Sequence, residues 1–202
     1  LLGAAAWLYE QDSPAYRVGN QQVTAVLGCG IVGIVFPEFR DSEQWVDLAE
    51  TRMREHMQQD FYADGGHKEL CTQYHKTVLR DVGYVALVAE ANGRKGLFDD
   101  PVAGPLIERA YDWLAKIVMP TGETAALHSA VFATDCAVHL ELGAGNFDRP
   151  DFAWLADRVW GRDEAPNQKH PFGFANYMVA AAADERQRRR GTGPRPTSGG
   201  RP

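Results

Sequence analysis

The sequence predicts an all-α fold built as a series of antiparallel helical hairpins. Three observations lead there. Apolar residues recur at the 3.6-residue period in segment after segment. No run carries the two-residue alternation of a strand, and the connections are short and rich in turn residues, which favours antiparallel neighbours.

Taken in order, "AAAWLYEQ" opens the chain as a short helical stretch, and "QQVTAVLGCGIVGIVF" follows. The latter is apolar nearly all round from Val23 to Phe36 and too short to span a bilayer, which places it inside against several partners. In "EQWVDLAETRMREHM" the residues Trp45, Leu48, Ala49, Met53 and His56 or Met57 form one stripe, with Asp41 and Ser42 ahead of it as N-cap candidates. "TVLRDVGYVALVAEAN" repeats the period through Val78, Val82, Val85, Ala86 and Ala89 and stops at Asn92-Gly93. "PLIERAYDWLAKIVMP" does so through Ile107, Ala110, Tyr111, Leu114 and Val118, with Pro105 in the first turn. "PDFAWLADRVWG" closes the series through Phe152, Leu155, Ala156 and Val159, with Gly161 as its stop. The stretches "FPEFRDS", "YADGGHKE", "GRKGLFDDPVAGP", "MPTGET" and "LGAGNFDRP" read as connections.

The chain has 202 residues, is 45% hydrophobic and carries a formal net charge of −6, which is long and apolar enough for one sizeable core and argues against a nucleic-acid partner. Six arginines fall in "RQRRRGTGPRPTSGGRP", so residues 1–185 form the helical body and residues 186–202 a linker or disordered tail. Cys29, Cys71 and Cys136 are too few and too scattered for a disulfide framework and read as buried free thiols. "LLGAAAWLY" lacks a basic n-region and reads as the interior of a helix, and the chain stops in a polar Gly/Pro segment. It is therefore expected to be a piece of a longer protein.

Two polar stretches stand out against this background. "YRVGNQQ" precedes the apolar helix, where Asn20 is either an N-cap or an amide donor aimed at an anionic ligand near the positive end of the helix dipole. "DGGHKELCTQYH", residues 64–75, begins in an Asp-Gly-Gly turn and leads into a helix that Thr72 can cap. It is either a turn and helix entry or part of an active site. Zinc held by His67, Glu69 and His75 is the rival reading, but the spacing lacks the i,i+4 histidine pair of a helical zinc site, and no metal is expected.

The ordered set Gly19-Asn20, Phe36-Pro37-Glu38-Phe39, Trp45, Asp64-Gly65, Glu69 and Tyr74-His75, followed by Pro120, Gly122 and Asp135 in "MPTGETAALHSAVFATD", resembles the helical N-terminal part of the heparinase II/III-like polysaccharide lyases. The resemblance implies an incomplete (α/α) toroid, with the family's C-terminal β-domain absent from this chain and expected as its partner in the same protein. It also implies β-elimination on a uronic-acid-containing polysaccharide, glycosaminoglycan or alginate-like, without cofactor and in the periplasm or outside the cell. Asn20 would neutralise the substrate carboxylate and Tyr74 would act as general acid/base. Gln21, Gln22, Glu69, His75, Arg17 and His128 would contact substrate. The chain departs from the pattern at Gln21, where many relatives carry Trp or His, and it holds no equivalent of the family's second catalytic histidine, His170 being its last. Two other readings remain: a carbohydrate-binding or catalytically incompetent toroid fragment, and a helical interaction module with no sugar site.

Overall fold

The computed structural model describes residues 1–12, 19–130 and 136–160, whose regular elements are helices. The elements are α1 (Leu2–Glu10), α2 (Gly19–Val35), α3 (Ser42–Gln59), α4 (Thr72–Ala91), a 3₁₀ turn at Leu97–Asp99, α5 (Ala103–Lys116), α6 (Cys136–Phe147) and α7 (Pro150–Trp160). Among the described residues, β-pairing is confined to two isolated bridges, Phe61 with His67 and Val118 with Thr124. The all-α prediction therefore holds. The two-part division at residue 185 lies outside the described residues.

The expected stripes are the buried ones. Trp45, Ala49, Met53, His56 and Met57 of α3 are buried, as are Val78, Val82, Val85, Ala86 and Ala89 of α4 and Ile107, Ala110, Tyr111 and Leu114 of α5. Each large side chain fully withdrawn from water contributes ~1.5–3 kcal/mol of transfer free energy. Val118 lies beyond α5, in the second β-bridge. The α4 helix stops where Asn92-Gly93 predicts: Gly93 takes φ 76°, and the Arg94 N–H returns to the Ala89 carbonyl.

Two expectations fail. The "LGAGNF" part of a supposed connection is the second half of α6. Its glycine content reads as loop, but Gly143 is there because a Cβ would sit 2.9 Å from the Tyr111 ring and 3.2 Å from Phe152. The expected caps also fail. Asp41 makes no side-chain cap bond, and Ser42 Oγ instead lies 2.7 and 2.8 Å from the Phe36 and Phe39 carbonyls, closing the "FPEF" turn. Thr72 Oγ1 donates to the Ala125 carbonyl at 2.8 Å rather than capping α4.

Packing order makes two layers. Helix α2 packs on α1, α3 and α4; α4 continues to α6, while α3 meets α5 and α5 meets α7. A Cβ on Gly30 would strike Ala49, and one on Gly33 would strike Ser42 and Val46, so residue numbers rise along α2 as they fall along α3. That pair is antiparallel. Between α2 and α4 the order is the reverse: Thr24 Oγ1 donates to Asp81 at 2.6 Å, and Gly30 faces Val85. Helices α2 and α4 therefore run parallel, and their amino-terminal turns lie side by side at one end of the layer.

Candidate functional site

The parallel register explains how the two polar stretches meet. Asn20 sits in the first turn of α2 and Tyr74 in the first turn of α4. Gly19, Asn20, Gln21, Glu69 and Tyr74 line one open cavity of about 300 Å³. The 54 positions between Asn20 and Tyr74 lie close to the offsets between facing residues further along the two helices, 55 for Gly30 with Val85 and 57 for Thr24 with Asp81.

The connection between α3 and α4 forms the floor beneath this cavity. It turns back on itself through the Phe61–His67 bridge, with the Lys68 N–H on the Asp60 carbonyl at 2.8 Å and the Tyr62 N–H on the Gly66 carbonyl at 2.8 Å. Asp64 Oδ1 accepts the Gly66 N–H at 3.0 Å, the Asx turn that the Asp-Gly-Gly sequence calls for. Gly65 and Gly66 press on α5, against the Arg109 backbone and the Trp113 indole, where no side chain would fit. Leu70, 61% exposed, takes φ 53° directly after Glu69. That left-handed conformation costs a leucine about 1–2 kcal/mol. It reverses the chain between Glu69, which turns toward α2, and Cys71, which precedes α4.

Glu69 is the hinge of the site. Its Oε1 accepts the Asn20 backbone N–H at 2.6 Å and its Oε2 the Asn20 side-chain N–H at 3.2 Å. The N-cap reading of Asn20 is therefore corrected: the free N–H groups of α2 are met by a carboxylate from a distant loop, a charge that the helix dipole favours there. Gly19 makes this possible. It takes φ 71°, and a Cβ on it would lie 2.5 Å from Glu69 Oε1. The anion slot at the start of α2 is occupied by the protein's own side chain.

Behind Glu69 lies a buried histidine pair. His56 Nε2 and His67 Nε2 are 3.0 Å apart, with stacked rings. His67 Nδ1 accepts the Glu69 backbone N–H at 3.3 Å, which puts the His67 proton on Nε2 and makes His56 Nε2 the acceptor. The His56 proton is then on Nδ1, 2.9 Å from Asp60 Oδ2, though that N–H does not point straight at the oxygen. Hydrogen bonding from His56 holds the Asp60 carboxyl below its ordinary range, and the Gly19 backbone N–H adds to this. Burial pushes His67 down to about 4, with the neighbouring His56 adding to it.

The cavity gathers Asn20, Gln21, Glu69 and Tyr74 from the expected set. It does not gather the rest. His75 is corrected from substrate contact to core residue: it is fully buried, its Nε2 donates to the Ala110 carbonyl at 3.0 Å, and its ring packs on Trp113. Burial lowers it to about 3. Gln22 is buried, with Nε2 unpaired, and is not among the cavity-lining residues. His128 is exposed at φ 57° and shares a 2.9 Å hydrogen bond with Ser129 Oγ, outside the lining. Arg17, Asp135 and His170 lie outside the described residues. Among the described residues, no group of three or more His, Cys, Asp or Glu side chains is arranged to hold a metal ion. The three cysteines are free and buried.

Sequence reasoning missed Asp60 and placed His56 only in a core stripe. Their signal was the i,i+4 His-Asp pair at the end of α3, directly ahead of the Asp-Gly-Gly turn.

No helix among the described residues is long and apolar enough to cross a membrane. No solved structure matches the chain. A heparin-sulfate lyase of Bacteroides thetaiotaomicron is 27% identical over 99 residues, a stretch that covers 49% of this chain and 14% of that relative. The chain thus spans a small part of that relative's length. The family described as Heparinase II/III N-terminus matches residues 5–139, from α1 to the first turn of α6 and across every cavity-lining residue, and the chain belongs to that polysaccharide lyase family through this N-terminal helical domain.

Proposed function

We propose that the cavity is the helical half of a lyase site that cleaves uronic-acid-containing polysaccharide by β-elimination. The observation that carries this is the meeting of Asn20 and Tyr74 on one open cavity, from the first turns of two adjacent parallel helices. In β-elimination the C5–H bond breaks, its electron pair forms the C4–C5 double bond, the C4–O bond breaks, and the departing oxygen takes up a proton. The proton at C5 is acidic enough only when the adjoining carboxylate is neutralised by fixed donors. The Asn20 amide supplies one such donor, with Gln21 beside it on the exposed face of α2. Tyr74 is the only cavity-lining side chain among the described residues with an O–H that can give a proton to the leaving oxygen and, ionised, take one from C5. A polymer of this kind places the whole protein in the periplasm or outside the cell. The family's β-domain would supply the opposite wall of the cleft.

The test is release of unsaturated product, followed by ultraviolet absorbance, in the full-length protein. Tyr74→Phe is expected to lower turnover by about 10²–10⁴-fold, and Asn20→Ala by about 10²–10³-fold, both with the thermal melting point retained. Unchanged turnover in Tyr74→Phe overturns the assignment. A binding role without chemistry is the second reading, favoured by the Glu69 carboxylate already holding the Asn20 backbone N–H and one of its two amide N–H groups. It wins if the protein binds uronate oligosaccharides and releases no product. If no polyanion binds, a helical interaction module is what remains.

A further inference from the structure

The contacts around the start of α2 close into a ring. The Gly19 N–H reaches Asp60, Asp60 meets His56, His56 meets His67, His67 accepts the Glu69 N–H, and Glu69 accepts the Asn20 N–H next to Gly19. Two successive backbone donors are thus held by two carboxylates at opposite ends of one short connection. The histidine pair sets the distance between those ends. Phe61 packs edge-on against both rings of the pair, with ring centroids 5.9 and 4.9 Å away.

We infer that Asp60, His56, His67 and Glu69 act as one positioning relay that fixes the Asn20 amide at the cavity, an inference that rests on reading Asn20 as the donor to the substrate carboxylate. The Asn20 amide has two N–H groups and one carbonyl oxygen. A carboxylate at 3.2 Å accepts one N–H and repels the carbonyl, so Glu69 selects a single amide orientation and leaves the second N–H for a ligand. Glu69 is itself only partly buried and sits beside a backbone turned through φ 53° at Leu70, so its own position needs support. The relay supplies it: His67 holds the Glu69 backbone, and His56 holds His67 from the rigid end of α3. None of the four residues needs to touch the reacting atoms. Their effect passes through Asn20.

The test uses the full-length protein and the same product assay. His56→Phe keeps a planar ring and removes both nitrogens; His56→Gln restores a polar atom within reach of His67. His56→Phe is expected to lower kcat by about 10²-fold, the cost of a misplaced group, with KM within about twofold of wild type, the pattern of an interaction made only in the transition state. His56→Gln is expected to recover most of that loss. Equal losses in the two variants, or no loss in either, overturn the relay. If His56→Phe does not fold, Glu69→Gln replaces it at a partly exposed position: a kcat loss with KM unchanged supports the relay, and wild-type kcat overturns it. In the wild-type protein, nitrogen chemical shifts are expected to show His67 protonated at Nε2 and His56 at Nδ1, and the reverse assignment overturns the ring. The two layers of inference separate cleanly. Asn20→Ala without effect sinks the reading of the site and the relay with it, whereas an inactive Asn20→Ala beside a fully active Glu69→Gln sinks the relay alone.

Discussion

The first turn of α2, Gly19 to Gln22, and the middle of the same helix, Gly28 to Gly33, are held by different physics. The first turn is tied down by directed polar contacts from Asp60 and Glu69, over the buried His67, whose imidazole burial keeps uncharged. The middle is tied down by close approach: Gly28 faces Leu8, Gly30 faces Ala49, and Gly33 faces Val46 and the Ser42 carbonyl. One end is specific in direction and sensitive to charge; the other is specific in volume and indifferent to it. The difference teaches where this helix can carry chemistry. A wall made of volume alone presents nothing to a polar ligand, while a turn whose donors are individually held can present one of them.

Acid gives the largest expected separation of the two regions. His67 and His75 have folded values near 4 and 3 against an ordinary 6.5, so the unfolded chain takes up protons first. The stability they confer is full above about pH 6.5 and is lost as the pH falls toward those folded values, on the order of 3 kcal/mol for His67 and about 5 kcal/mol for His75 at ~1.36 kcal/mol per unit. The depressed Asp60 acts in the same direction below its ordinary carboxylate range. Thermal melts from pH 7 to pH 4 should fall steadily, and amide exchange at Gly19 and Asn20 should quicken before exchange at Gly30 and Gly33. Even quickening along the whole helix would break the comparison.

Gly30→Val tests the volume side. Its Cβ would lie 2.6 Å from that of Ala49, and an expected loss of about 1–3 kcal/mol should appear as a lower melting point with turnover per folded molecule unchanged. Gly19→Ala sharpens the polar side. The left-handed backbone costs about 1–2 kcal/mol, and the new methyl would displace Glu69 Oε1. Its melting point should fall less than that of Gly30→Val and its turnover more. A Gly19→Ala protein of wild-type activity would show that Glu69 can move without consequence.

Much of this was legible in the sequence, and the misses share a cause. Stripes such as Val78, Val82, Val85 and Ala89 declare themselves because burial repeats with the helical period. Asn20 and Tyr74 were legible through the order of motifs in which they stand. What sequence could not supply was the identity of partners across space. Asn20, Ser42 and Thr72 all look like caps, and each instead spends its polar side chain on a distant residue or a neighbouring turn. Gly143 looked like a loop residue because the Tyr111 ring it accommodates is 32 positions away. His75 went wrong for a simpler reason. It follows Tyr74 by one residue, about 100° around the helix, so a helix that turns Tyr74 to the cavity turns His75 to the core.

The parallel register of α2 and α4 also sets which changes of chain length the site can absorb. One residue inserted within α2 ahead of Thr24 would rotate Asn20 by about 100° and carry it along the axis by about 1.5 Å, off the rim it shares with Tyr74. The same insertion among residues 36–41 lies outside both helices and leaves the pairing of Thr24 with Asp81 intact. The lineage of such a domain is therefore free to lengthen the turn at residues 36–41, and nearly forbidden to change the count within the first two turns of either helix or within the connection that carries Asp60 and Glu69.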